Sequence, residues 1–272
     1  MDELVSESEG MGTIERSMNV LDLFSGIGGF SLGLERAGMR TVAFVEIDPF
    51  CQKILKKHWP NVPIYGDIRE VNGYEIQRKH GPIDIITGGF PCQPFSVAGK
   101  RRGKEDDRYL WPEMLRIIQE IHPPWVLGEN VAGIVSMVLD EVLSDLESEG
   151  YETQSFIIPA CAVNAPHRRD RVWIIAHSKC LGWKERPRQG IQSQEQVSEG
   201  QNLGDIDSKR IIWEESWIEV ATRLCRMDDG VSSEMDRTQR LRVLGNAVVP
   251  QIVEVIGRVI MEINCYESRT QS

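Results

Sequence analysis

The stretch VLDLFSGIGGFSLGL, residues 20–34, decides the reading of the fold. A hydrophobic strand runs into a glycine-rich turn, and helical spacing begins at Gly29, an arrangement that lets backbone amides and a helix N-terminus approach a polar ligand closely. A glycine turn alone marks any tight strand-to-helix connection about as often. The next two units decide between these readings. TVAFVEIDP (41–49) ends an apolar run with Glu46, where a carboxylate can accept hydrogen bonds from ribose hydroxyls, and IYGDI (64–68) closes with Asp67, which can accept one from an adenine amino group. Either acid alone reads as a solvated loop residue, but a turn followed by two strand-end acids favours an adenosine ligand. Gly26, Gly28 and Gly29 are followed by Phe30, Ser31 and Leu32, so the GxGxxG spacing of a dinucleotide site is absent and S-adenosylmethionine is favoured over nicotinamide or flavin dinucleotides.

Outward from this stretch, short β-rich runs alternate with helical patterns. Strands are expected at 19–24, 41–47, 83–89, 124–130, 152–160 and 171–178, and helices over 29–37, 49–58, 111–121 and 134–149. The alternation indicates a parallel sheet covered by helices, with ligands at the carboxyl ends of its strands. It stops after Ser178. Residues 179–216 are rich in Gln, Glu, Lys, Arg, Gly and Ser with little periodicity, and order returns in LRVLGNAVVPQIVEVIGRVIMEI, helical from Gln251.

With 272 residues, 41% of them hydrophobic, the chain can bury a large core, and it contains no apolar run of the roughly 20 residues that a membrane helix requires. The start, MDELVSESEG, is acidic and reads as a solvated, disordered tail (1–17) of a cytoplasmic protein. Six scattered cysteines without a CxxC pair support neither a disulfide framework nor a metal site. A net charge of −10 argues against a polyanionic partner, but the acids gather in the tail and in LDEVLSDLESEG, leaving GKRRGK (99–104) and HRRDR (167–171) as basic clusters.

Cys92, in GGFPCQPFSVAGKRRG (88–103), follows an apolar run and opens a loop bounded by glycine and proline, a position suited to chemistry more than to packing. DLFSGIGGF, GGFPCQPFS, ENV (129–131), HRRDR and GNAVVP stand in the order and approximate spacing of DNA (cytosine-5)-methyltransferase motifs. The chain resembles that family over roughly residues 18–176 and 240–262. The chemistry fits independently: carbon 5 of cytosine becomes nucleophilic only when another group adds at carbon 6, and a thiolate, from a thiol of pKa ~8.5 shifted by neighbouring dipoles or arginines, is suited to that addition. Glu129, ending PPWVLGEN, can assist by hydrogen bonding to the ring nitrogen and exocyclic amine.

The resemblance implies further roles. Arg169 and Arg171 match the arginines of a Gln-x-Arg-x-Arg motif that holds the flipped base and the catalytic loop, although His167 replaces the usual Gln. Asn246 and Ala247 match the late motif over the methionine part of the cofactor, and Phe24, Ser25, Gly26, Gly28, Ile47 and Ile68 join Glu46 and Asp67 around the cofactor. The expected architecture is an α/β, Rossmann-like S-adenosylmethionine-dependent methyltransferase sheet with helices on both faces, formed by 18–178 plus 241–272. A small irregular target-recognition region, 179–240, is set apart from it and would read a short duplex site of about two to five base pairs. The implied enzyme is a prokaryotic or phage-encoded monomer that acts on duplex DNA after extruding the base, with a companion restriction endonuclease that it need not touch. Three alternatives stand: methylation of transfer RNA by the same motifs, an inactive nucleic-acid-binding relative, and a dinucleotide-dependent oxidoreductase.

Overall fold

The computed structural model describes residues 17–91, 109–165, 168–178 and 247–270. Seven strands form one sheet: β1 (Asn19–Leu23), β2 (Arg40–Val45), β3 (Ile64–Tyr65), β4 (Ile85–Gly88), β5 (Trp125–Val131), β6 (Tyr151–Pro159) and β7 (Asp170–Ser178), in the order β3-β2-β1-β4-β5-β7-β6. The helices are α1 (Gly29–Arg36), α2 (Pro49–His58), α3 (Gly73–His80), α4 (Trp111–Ile121), α5 (Leu139–Ser148) and α6 (Pro250–Thr270).

Strand alternation sorts the core into two layers. Val20, Ile85, Leu127 and Trp173 face α1 and α6, packing with Phe30, Leu34, Ile252, Val253 and Ile256. Leu21, Leu23, Ile86, Val126 and Ile174 face the opposite way, onto Ile76 of α3, Met114, Ile117 and Ile118 of α4, and Val142 and Leu146 of α5. All five residues of β1 are buried because helices cover both of its faces.

The sheet is not wholly parallel. β1 to β5 run parallel, whereas β7 is antiparallel to both β5 and β6. Only a short connection containing the 3₁₀ turn Ala160–Val163 separates β6 from β7, too little chain for a crossover, so the strands must pair as a hairpin. The helix expected over 134–149 is also interrupted. A 3₁₀ turn at Ala132–Ser136 precedes α5, and Val138 leaves the helical region at φ −143°. The strand before Asp67, β3, is only two residues long, and α3 is a short helix that the sequence pattern did not set apart.

The chain reverses strand order between β1 and β4, the place where open α/β sheets form ligand crevices. From beyond residue 246 the chain returns to this point. α6 lies along α1, where a Cβ added to Gly33 would come within 2.5 Å of the Pro250 carbonyl oxygen. Among the described residues no helix is long and apolar enough to cross a membrane.

Candidate functional site

At the end of β1 the backbone turns through three left-handed residues, Phe24 (φ 52°), Gly26 (φ 55°) and Gly28 (φ 84°). Glycine adopts this conformation freely, while Phe24 is held in it against its side-chain sterics. Ser25 secures the turn: its Oγ donates to the Asp22 carbonyl oxygen at 2.6 Å, and its backbone N–H donates to Val45 O at 3.2 Å. Gly28 does not line the cleft. The side a Cβ would occupy is closed by the ring of Trp59, at 2.6 Å.

Glu46, just past β2, is buried, and one carboxylate oxygen accepts the Gly26 N–H at 2.7 Å while the other accepts the Asp48 N–H at 2.7 Å. Burial raises its pKa and these backbone bonds oppose the rise. The side chain therefore braces the glycine turn against the end of β2. Ile47 beside it is 62% exposed, an apolar surface at the cleft wall. Asp67 caps the 3₁₀ turn Ile68–Glu70 and accepts from the Arg69 backbone and guanidinium, which together hold its carboxyl below the usual range.

These segments line one cleft of about 310 Å³, within the range of small-ligand sites. Phe24, Ser25, Gly26, Glu46, Ile47, Asp67, Ile68 and Ala247 border it, and Gly89, Pro91, Leu110 and Glu129 continue it toward the end of β5. The free face of Gly26 opens on space, with nothing within 4 Å of where a Cβ would stand. The donors and acceptors fit S-adenosylmethionine: an apolar shelf, two carboxylates at strand ends and exposed backbone at a glycine turn. Among the described residues no group of His, Cys, Asp and Glu is placed to hold a metal ion.

Glu129 is 8% exposed and forms an ion pair with Arg171 Nε at 2.9 Å. Burial pushes its carboxyl up to about 7, and the nearby Arg171 and Arg169 only partly offset that. Arg169, with φ 38°, turns its Nη2 to the Ala247 carbonyl oxygen at 2.8 Å, and its buried Nε has no hydrogen-bond partner among the described residues. The structure thus joins Glu129, both arginines and the start of the C-terminal segment at one end of the cleft. A Cβ on Gly89 would stand 3.4 Å from Glu129 Oε2, an ordinary contact, so the residue just past β4 lies directly beside the acid.

The sequence reading did not assign Asn130. Its Nδ2 donates to Phe90 O at 2.9 Å, and Leu110 N donates to Pro91 O at 3.3 Å, so the two ends of the 92–108 segment are tied together beside Glu129. Its position in the ENV triplet was the available signal. Asp22, also unassigned, accepts from Ser31 Oγ at 2.7 Å and Thr87 Oγ1 at 3.0 Å beneath the glycine turn. Cys92, His167, Asn246, the basic cluster 99–104 and the 179–240 region lie outside the described residues.

A seven-stranded sheet of this order with β7 reversed, and with its cleft at the β1/β4 reversal, defines the Rossmann-like fold of the S-adenosylmethionine-dependent methyltransferases. The C-5 cytosine-specific DNA methylase family model matches residues 18–227, and the chain belongs to that family. It is 38% identical over 166 residues to the type II methyltransferase M.PspPI of a Psychrobacter species, covering 59% of this chain and 39% of that one. To M.XorII of Xanthomonas oryzae it is 32% identical over 214 residues, 74% of this chain and 50% of the relative. Among solved structures, a DNA modification methyltransferase encoded within an E. coli prophage superposes with a TM-score of 0.53 at 34% identity, over 61% of this chain and 48% of that one. A DNMT2 mutant from Spodoptera frugiperda matches with a TM-score of 0.53 at 25% identity, over 64% of this chain and 54% of that one. The chain spans about two-fifths of the length of the first curated relatives it matches.

Proposed function

We propose that this chain transfers a methyl group from S-adenosylmethionine to carbon 5 of a cytosine flipped out of duplex DNA, through a covalent adduct of Cys92. The observation that carries the reading is the continuity of one cleft from the glycine turn and Glu46 to Glu129 and Pro91, the residue just before Cys92. Family membership and the type II methyltransferase relatives support the same chemistry.

S-adenosylmethionine, when bound, supplies an electrophilic methyl group. Glu46 and Asp67 would hold the ribose and adenine, with Ile47 and Ile68 as apolar contacts. The Cys92 thiolate would bond to carbon 6 of the base as the 5,6 double bond opens; carbon 5 would then take the methyl group, leaving S-adenosylhomocysteine, and loss of the carbon 5 proton would expel the thiolate and restore the ring. Glu129, its carboxyl pushed up to about 7 by burial, would donate a proton or hydrogen bond to the ring nitrogen as charge develops there. Arg171 fixes the carboxylate by the ion pair already described, Arg169 would help hold the flipped base, and Asn246 would close over the methionine part of the cofactor. Residues 18–178 with 241–272 would form the catalytic unit, and 179–240 would read the flanking bases.

Transfer of labelled methyl groups to duplex DNA and to transfer RNA, assayed side by side, tests the substrate. DNA is expected to accept them. Cys92→Ala should abolish transfer with cofactor affinity nearly unchanged, and duplex containing 5-fluorocytosine should trap a covalent complex with the unaltered protein. Transfer to RNA alone would overturn the DNA substrate, and an active preparation that traps no adduct would overturn the covalent step.

A further inference from the structure

The turn Ile68–Glu70, which carries one wall of the cleft, has two backbone bonds of its own, Glu70 N to Asp67 O at 3.0 Å and Val71 N to Ile68 O at 3.1 Å, besides the Asp67 cap on Arg69. It is held from behind by α4. Arg116, outside the cleft lining, donates from Nη2 to Ile68 O at 2.9 Å and from Nη1 to Val71 O at 3.0 Å. Two carboxylates on the same helix fix the guanidinium, Glu113 at Nε (2.9 Å) and Glu120 at Nη1 (2.7 Å). The second oxygen of Glu120 accepts the Gly73 N–H at the start of α3. A Cβ on Gly73 would come within 3.0 Å of Glu120, so the absence of a side chain lets α3 seat on α4. One planar, multidentate cation thus bridges the two carbonyls that flank the turn, an arrangement a lysine ammonium cannot reproduce.

We propose that Arg116 is a positioning residue for cofactor binding: from outside the cleft it fixes the Asp67–Ile68 wall against which the adenosine half of S-adenosylmethionine rests. This depends on the cofactor reading above. Because α4 starts one residue after Leu110, a cleft residue, the same helix links the adenosine wall to the far anchor of the 92–108 segment.

Calorimetric titration of Arg116→Met, Arg116→Lys and the unaltered protein with S-adenosylmethionine and S-adenosylhomocysteine tests it. Arg116→Met should weaken both ligands by roughly tenfold, about what the loss of a charge-assisted hydrogen bond gives, and Arg116→Lys should recover part of this. An equal loss matters, because removing a positive charge would otherwise favour the cationic ligand over the neutral one. The kcat at saturating cofactor should stay within about twofold, since the reacting groups are untouched. Amide exchange should quicken at Arg69–Val71 and not in β1. Glu120→Gln, which weakens the hold on the guanidinium, should shift both affinities in the same direction by less, and serves if Arg116→Met does not fold. Unchanged affinities, opposite shifts for the two ligands, or equal falls in kcat and DNA affinity would overturn the proposal. A wild-type protein that binds neither ligand would instead remove the cofactor reading, and this inference with it.

Discussion

Asp22 and Glu129, like Glu46, are buried carboxyl groups whose pKa burial raises, and they give the protein a pH dependence of definite sign. Asp22 is fully buried between Ser31 of α1 and Thr87 of β4, and burial pushes it up to about 7 despite the two hydroxyl donors. Glu129 is pushed up to about 7 for the same reason. A raised native pKa means that the folded state holds protons the unfolded chain has released, so stability is greatest at low pH and is lost as pH rises toward and through 7. A shift of this size for Asp22 corresponds to an upper figure on the order of 4 kcal/mol. Urea midpoints followed by tryptophan fluorescence should fall between pH 5 and pH 8, and Asp22→Asn should flatten much of that slope. A slope the substitution leaves intact would assign the pH dependence elsewhere. Glu46, Asp67 and Glu129 were legible because an acid closing an apolar run stands out. Asp22 was not, since its meaning comes from Thr87, 65 residues away.

At the scale of elements, amphipathic spacing located the long helices and missed what spacing does not encode. Ile134, Val138, Val142 and Leu146 recur every four residues and are all buried, so the apolar stripe continues unbroken across the interruption before α5. The pattern reports a buried face, and hydrogen bonding decides where the helix begins. α3 buries only Gly73 and Ile76, too little for periodicity, although Asn72 capping the Glu75 N–H at 3.0 Å left a sequence signal three residues apart. The α1–α6 contact gives a prediction in which two effects oppose. Gly33→Ala would by helix propensity alone stabilise α1 by about 1 kcal/mol. The added Cβ, however, meets Val253 Cβ at 2.5 Å and a backbone carbonyl at the same distance, neither of which can swing aside. Overpacking should therefore win, with a net loss of about 1–3 kcal/mol in urea denaturation. A stabilised variant would show that α6 can move off α1 at little cost.

For the whole molecule, the C-terminal helix is structurally part of the first strand's neighbourhood, and GNAVVP before it was the clue that the chain must come back. Ile252, Val253, Ile256 and Ile260 are at most 7% exposed and cover Phe30, Leu34, Met39 and Trp173. At about 1.5–3 kcal/mol for each buried side chain, these four supply a gross burial gain on the order of 10 kcal/mol, from which the entropy of ordering the segment is subtracted. The same segment finishes the cleft, because Ala247 accepts the Arg169 bond and Val248 O lies within 2.8 Å of a Cβ placed on Gly29. Core and site are therefore closed by one piece of chain. Protein ending at residue 246 should lose near-ultraviolet circular dichroism and bind a hydrophobic dye while keeping much of its far-ultraviolet signal. A synthetic peptide of residues 247–272, added in excess, should restore the near-ultraviolet spectrum and cooperative unfolding together. Recovery must be joint, since the peptide supplies the hydrophobic cover and the Ala247 acceptor at once. A shortened protein that unfolds cooperatively at the same urea midpoint would mean that residues 17–178 complete their own core and that α6 only lies upon it.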